Sequence, residues 1–110
     1  MNSYILLSIA IISEVTATML LKASNGWQNW WFGITSLVLY SLAGFVLALV
    51  LKSMSVGLAY AIWSGVGIAF VCILSALFWQ QKFDGYALAG VLLIAAGTLL
   101  ISLKSNVTLQ

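Results

Sequence analysis

The sequence predicts an all-α integral membrane protein with four transmembrane helices, and three observations support this. Of the 110 residues, 64% are hydrophobic and 5% are charged, and the chain has no histidine, arginine or proline. Four apolar runs are each near or above the roughly 18 to 20 residues that a helix needs to cross about 30 Å of hydrocarbon. The runs are continuously apolar and do not alternate, which disfavours a β-barrel. We expect a single four-helix transmembrane domain over residues 1–110, with helices at 4–21, 30–51, 56–79 and 86–103.

The first helix contains Glu14, the only carboxylate within the four runs. A charge at this depth costs a few kcal/mol by insertion scales, so such residues usually have a function. We expect Glu14 to handle protons or ions; the alternative is a permanently protonated acid that hydrogen-bonds a neighbouring helix. Because no Lys or Arg precedes the run, we expect it to stay in the mature protein and not to act as a signal peptide. Steps of three and four residues from Glu14 define its face, which comprises Leu7, Ala10, Ile11, Ala17, Thr18 and Leu21.

The second and third helices supply aromatic residues in or close to the middle of their runs: Tyr40, then Tyr60 and Trp63 one turn apart. Aromatic faces attract cations, so these three residues are expected to line a pocket for a lipophilic cation; interface belts are the usual alternative for membrane aromatics. Gly65 and Gly67 follow, where two missing side chains weaken the helix and allow a bend. We predict a hinge there, with close packing as the alternative.

The fourth helix has small residues that recur after seven positions, Ala89-Gly90 and Ala96-Gly97. Stripes of small residues let membrane helices approach closely. The stripe contains no ionisable residue, which suits assembly better than transport. We therefore predict a helix-pairing interface formed by Gly90, Leu93 and Gly97.

The loops are short and span only residues 22–29, 52–55 and 80–85, so we expect consecutive helices to be antiparallel neighbours. A tail at 104–110 follows the last helix. Each helix is followed by one lysine. Lys22 and Lys82 then lie on one side of the membrane, and Lys52 and Lys104 on the other with the amino terminus. Orientation follows Lys and Arg in short loops, so a count of two against two gives almost no preference. We expect insertion in both directions; the alternative is one direction, set by weak cues such as the terminal amine.

The size of the chain predicts oligomerisation, because one small bundle fills its own interior with side chains. Two oppositely oriented copies would form an inverted-repeat transporter from separate chains. Two copies of Glu14 would then face each other in a poorly hydrated chamber, where protons compete with cations for the pair. No phosphate-binding loop or metal-spaced cluster is present, so we expect no enzyme activity, catalytic residue, metal or other cofactor. A small dual-topology ion channel and an accessory subunit of a larger membrane complex are the alternatives.

A resemblance to a known family follows from three features taken together. These are Glu14, the segment AYAIWSGVG at residues 59–67, and the repeat from Gly90 to Gly97. With these features the chain resembles the small multidrug resistance family over nearly its full length. The resemblance implies an antiparallel, dual-topology homodimer in the bacterial inner membrane that exchanges protons for a cationic substrate. The implied partners are cationic small molecules, protons, membrane lipid and a second copy of the chain, with no nucleic acid.

The resemblance also implies roles for individual residues. Glu14 would bind protons and substrate in turn, and the pocket would be lined by Tyr4, Leu7, Ala10, Thr18, Tyr40, Tyr60 and Trp63. Guanidinium exporters of the family typically have a tryptophan three residues after the glutamate, whereas this chain has Ala17. That favours the multidrug and quaternary ammonium branch, with a guanidinium or polyamine exporter as the alternative. The chain departs from the family at Phe32 and Ser55, where prolines are usual.

Overall fold

The four predicted helices are present in a computed structural model of the protein, which describes residues 2–104 without the side chain of Lys104. They are α1 (Ser3–Ala23), α2 (Trp30–Val50), α3 (Val56–Trp79) and α4 (Gly85–Lys104). With 20 to 24 residues each, they are about 30 to 36 Å long. All four are long and apolar enough to cross a membrane, which confirms the all-α prediction. Their ends differ from the predicted ones by at most two residues, and the predicted tail beyond Lys104 lies outside the described residues.

The helices form two compact units, Met1–Lys52 and Ser53–Gln110. In the first unit α1 packs against α2, and in the second α3 packs against α4. Each unit is therefore a helical hairpin. The assignment of both hairpins to one domain stays a prediction.

Small buried residues characterise the first hairpin. Ala10 and Ala17 on α1, and Ser36 on α2, have no exposed surface, and Ala43 on α2 has almost none. Hydrophobic driving force between helices is lost in lipid, so association depends on such close contacts between small side chains. The two residues of each helix are seven positions apart, which places them along one side of that helix.

The loop of the first hairpin is held by Trp27, whose ring lies over Gly33 at the start of α2. A Cβ atom on Gly33 would overlap ring carbons of this tryptophan. The backbone of Trp27 has a φ of 73°, a left-handed conformation that is uncommon for a bulky residue. The Ser24 hydroxyl accepts a hydrogen bond from the Trp27 amide at 3.2 Å. Trp27 thus anchors the loop.

Three polar side chains begin helices by capping free backbone amides. Asn2 accepts from the Tyr4 amide at 2.7 Å, Ser55 from the Leu58 amide at 3.2 Å and Asp84 from the Ala87 amide at 2.8 Å. Such caps satisfy amides that lack an intrahelical partner. The start of α3 therefore depends on the Ser55 hydroxyl.

The second hairpin leaves most of α4 uncovered: no residue of its apolar stretch Gly85–Leu103 is buried. A Cβ atom on Gly90 or Gly97 would meet no atom within 4 Å, and Leu93 is 74% exposed. The stripe predicted as a pairing interface is therefore open in the single chain. Its role in dimerisation stays a prediction.

Candidate cation and proton site

Glu14 lies near the middle of α1, and its side chain is half-buried. Ala10 and Ala17, one turn before and after it, are fully buried. The acid is thus flanked along α1 by residues that pack into the chain. The carboxylate therefore lies beside the contact between α1 and α2, and part of it stays accessible.

The hydroxyl of Thr18 connects Glu14 to α2. Its Oγ1 donates to the backbone oxygen of Glu14 at 3.0 Å and lies 3.4 Å from the carboxylate Oε1. The same Oγ1 lies 2.8 Å from the Tyr40 hydroxyl oxygen, on the neighbouring helix. Three of the residues predicted for the site therefore form one hydrogen-bonded cluster, which we call the hydroxyl cluster (Glu14, Thr18 and Tyr40).

The number of hydrogen atoms determines which group donates each hydrogen bond in the hydroxyl cluster. A threonine hydroxyl has one hydrogen and two acceptor lone pairs. When Thr18 donates to Glu14, the 2.8 Å contact requires Tyr40 to donate to Thr18. The chain of donors then runs from Tyr40 through Thr18 to Glu14, where the single hydrogen of Thr18 is shared between the backbone oxygen at 3.0 Å and the carboxylate Oε1 at 3.4 Å. Chains of this kind polarise one another in surroundings of low dielectric constant.

The other α1 residues predicted for the pocket differ in exposure. Tyr4 is exposed, in the first turn of α1, whereas Leu7 and Ala10 are buried within the chain. Tyr4 contributes its backbone oxygen to the hydroxyl of Ser8 at 2.8 Å. Because Leu7 and Ala10 are buried, they serve as packing residues in the single chain. Contact of all three residues with a ligand stays a prediction.

The aromatic pair of α3 belongs to the second hairpin. The rings of Tyr60 and Trp63 are stacked, with centroids 6.5 Å apart and planes inclined by 20°. Tyr60 is 61% exposed and Trp63 is half-buried. Stacked rings with an open face can accept a flat or cationic group.

Thr98 on α4 is a site residue that the sequence analysis missed. Its Oγ1 donates to the backbone oxygen of Ala61 on α3 at 3.1 Å, between the two aromatic residues in sequence. It also fills the space left by Gly65: a Cβ there would overlap the Thr98 hydroxyl oxygen and lie 2.8 Å from its Cβ. The available signal was a hydroxyl within the apolar part of α4, one turn before Ser102.

Close packing against Thr98 accounts for a glycine at position 65 whether or not the backbone bends there. Gly67 is also buried. The hinge at Gly65 and Gly67 stays a prediction, and any test of it must separate bending from this contact.

Comparison with known proteins gives consistent matches over the whole chain. The family model of the Small Multidrug Resistance protein matches residues 2–94. The chain is 43% identical to the multidrug transporter EmrE of Escherichia coli strain K12, over 98% of both chains. It is 39% identical to the quaternary ammonium compound-resistance protein QacF of Klebsiella aerogenes, again over 98% of both. A putative ethidium bromide resistance protein of Escherichia coli is 40% identical, over 91% of this chain and 87% of that protein.

Proposed function

The chain belongs to the small multidrug resistance family, and on this premise we propose that it exports lipophilic or quaternary ammonium cations in exchange for protons. With its four membrane-spanning helices it is a multi-pass protein of the inner membrane. The observation that supports the proposal most directly is the hydroxyl cluster, in which the Thr18 hydroxyl contacts the membrane acid Glu14 and the Tyr40 hydroxyl of the neighbouring helix contacts Thr18.

Glu14 acts as the shared site. As a carboxylate it attracts a cation at a depth where water is scarce and the interaction is therefore strong. Once protonated it loses that attraction, so binding of a proton releases the cation and binding of the cation requires loss of the proton. Thr18 donates to the carboxylate and Tyr40 donates to Thr18, so the two hydroxyls together orient the carboxylate in the charged state.

The substrate class follows from the aromatic side chains and from the relatives. Tyr60 and Trp63 present stacked rings, and ring faces attract quaternary and flat aromatic cations without offering a hydrogen bond. Relatives named for resistance to quaternary ammonium compounds and to ethidium bromide support the same class. Ethidium, a flat and fluorescent cation, is therefore a suitable probe.

Export requires access from both sides of the membrane. We propose that two chains pair in opposite orientations, through Gly90, Leu93 and Gly97 on α4, and alternate between two shapes. The balanced lysines and the uncovered α4 stripe support this arrangement. Exchange of the two shapes converts an inward-open site into an equivalent outward-open one, so the two states have nearly equal free energy in a symmetric bilayer.

The test uses Glu14→Gln in liposomes that contain only this chain, with a proton gradient and ethidium. We expect loss of ethidium binding and of proton-driven uptake, because the amide keeps the shape of the acid but has no charge and no group that titrates near neutral pH. Asp84→Asn is the matched control: it removes the other acidic residue, and the amide oxygen can still accept from the Ala87 amide that Asp84 caps. This control should bind and transport as the wild type does.

Binding of ethidium to Glu14→Gln with unchanged affinity would rule out the shared site. Conduction of ions by the wild type without counter-movement of protons would favour the channel reading. Wild-type transport of guanidinium or polyamines but not of ethidium would move the chain to another branch of the family.

A further inference from the structure

The hydrogen-bond acceptor of Thr98 lies on another helix, unlike the acceptors of three other hydroxyl residues of the membrane helices. Ser8, Thr35 and Ser41 each donate to the backbone oxygen four residues earlier on their own helix, at 2.8 to 2.9 Å. Thr98 donates instead to the Ala61 oxygen on the neighbouring helix, at 3.1 Å. Its hydroxyl therefore connects α4 to α3.

Gly65 makes this connection possible. Without a side chain at 65, the Thr98 hydroxyl and methyl occupy the place where a Cβ atom would lie. The oxygen of Ala61 is the one that an α-helix pairs with the amide of residue 65. Thr98 thus binds to the turn of α3 that runs from Ala61 to Gly65 and contains Trp63.

The surroundings of this bond give α3 little other support. A groove of about 320 Å³ lies directly beside it, between α3 and α4, and is lined by Gly65, Ala69, Phe70 and Ile73 of α3 together with Ala95 and Thr98 of α4. Beyond the contact of Thr98 with Gly65, the open groove leaves α3 and α4 without packing against each other on this side. That contact and the hydrogen bond of Thr98 to Ala61 together hold α4 against this part of α3.

We propose that Thr98 is a positioning residue that sets the affinity for aromatic cations by holding the α3 turn that carries Trp63 and begins directly after Tyr60. It acts through the backbone of Ala61 and touches no substrate itself. This inference rests on the proposed function, since it assumes that the Tyr60–Trp63 pair receives the cation. It assigns to α4 a role in specificity in addition to assembly.

The experiment measures ethidium binding to the purified dimer of two variants with complementary losses. Thr98→Val keeps the shape and loses the hydroxyl, whereas Thr98→Ser keeps the hydroxyl and loses the methyl. We expect Thr98→Val to raise the ethidium Kd about threefold. This factor corresponds to the average free energy of an interhelical hydrogen bond in a membrane protein. Thr98→Ser should restore the wild-type Kd. The control Thr35→Val removes an exposed hydroxyl bonded within its own helix and should change nothing.

Two further readouts separate positioning from simple damage to the fold. The number of binding sites per dimer should stay constant in Thr98→Val. The pH at which protons begin to raise the ethidium Kd should also stay constant, because the change affects the rings and not the proton affinity of Glu14. The NMR shifts of the Gly65 amide and the Ala61 carbonyl should move in Thr98→Val and return in Thr98→Ser.

The outcomes distinguish this inference from the proposed function. An unchanged Kd in Thr98→Val with normal wild-type binding overturns the inference alone, as does a Thr98→Ser variant that binds as weakly as Thr98→Val. Fewer sites at unchanged Kd would show a role in folding only and would also overturn it. Failure of the wild type to bind ethidium overturns the proposed substrate class and, with it, the inference.

Discussion

The hydrogen bond between Thr18 and Tyr40 permits a quantitative test of the hydroxyl cluster. The two perturbations are Thr18→Val and Tyr40→Phe, each of which removes a hydroxyl and nearly preserves shape. If the two hydroxyls act as one unit on Glu14, then the loss of either should already remove most of the benefit. The double variant should consequently bind cations little worse than either single variant.

The distances indicate where the coupling lies. The 2.8 Å contact between Thr18 and Tyr40 is ideal for two hydroxyl groups, whereas the 3.4 Å contact between Thr18 and the Glu14 carboxylate is long. Interhelical hydrogen bonds in a membrane protein contribute about 0.6 kcal/mol on average and about 1.7 kcal/mol at most. We therefore expect a coupling of about 0.6 to 1.7 kcal/mol between Thr18→Val and Tyr40→Phe, which corresponds to roughly a three- to eighteenfold departure from additivity in Kd.

The assay is a double-mutant cycle on the ethidium Kd, measured well above the pH at which protons displace the cation. The control cycle pairs Thr18→Val with Thr35→Val, whose hydroxyl is exposed and bonds within α2. Effects of residues without a shared partner add to within about 0.5 kcal/mol, so the control cycle should show no coupling beyond that. If the Thr18–Tyr40 cycle is equally additive, the two hydroxyls do not act together and the proton-counting argument fails.

Two further predictions concern the membrane arrangement and the glycines of α3. Reporters fused after Gln110 should reveal both orientations of the wild type, and two lysines added to the loop at 22–29 should bias them toward one; a wild-type population in a single orientation would reject the antiparallel dimer. Gly67→Ala should slow the exchange between the two dimer shapes in magnetisation-exchange NMR and largely spare affinity, and an unchanged rate with weaker binding would remove the hinge at that position. Gly65→Ala should instead lower the unfolding free energy by about 1 to 3 kcal/mol, because the new Cβ overlaps Thr98 and weakens α3–α4 packing. Combining Gly65→Ala with Thr98→Ala should recover thermal stability. A double variant no more stable than Gly65→Ala would exclude the overlap as the cause.

The sequence by itself determined the four helices and the most unusual residue among them. Length and continuous hydrophobicity are properties of a segment alone, and lipid permits few structures for such a segment. The cost of a charge at membrane depth is likewise a local property, so Glu14 was identifiable without any neighbour. The same holds for the balance of lysines, which depends only on their order along the chain.

Only the tertiary structure decided which polar groups meet. Thr18 contacts Tyr40 because of the rotation and axial offset of α1 against α2, and Thr98 reaches Ala61 because α4 lies close to α3 at Gly65. Helical periodicity assigns a residue to a face but does not specify which residue of another helix that face will meet. A hydroxyl in lipid can always bond within its own helix, as Thr35 does, so its composition and position alone do not reveal an interhelical partner. Whether a hydroxyl bonds to its own helix or to a neighbour depends on the distance between the two backbones. Small residues such as Gly65 permit a short distance, but only the packed helices show where it occurs.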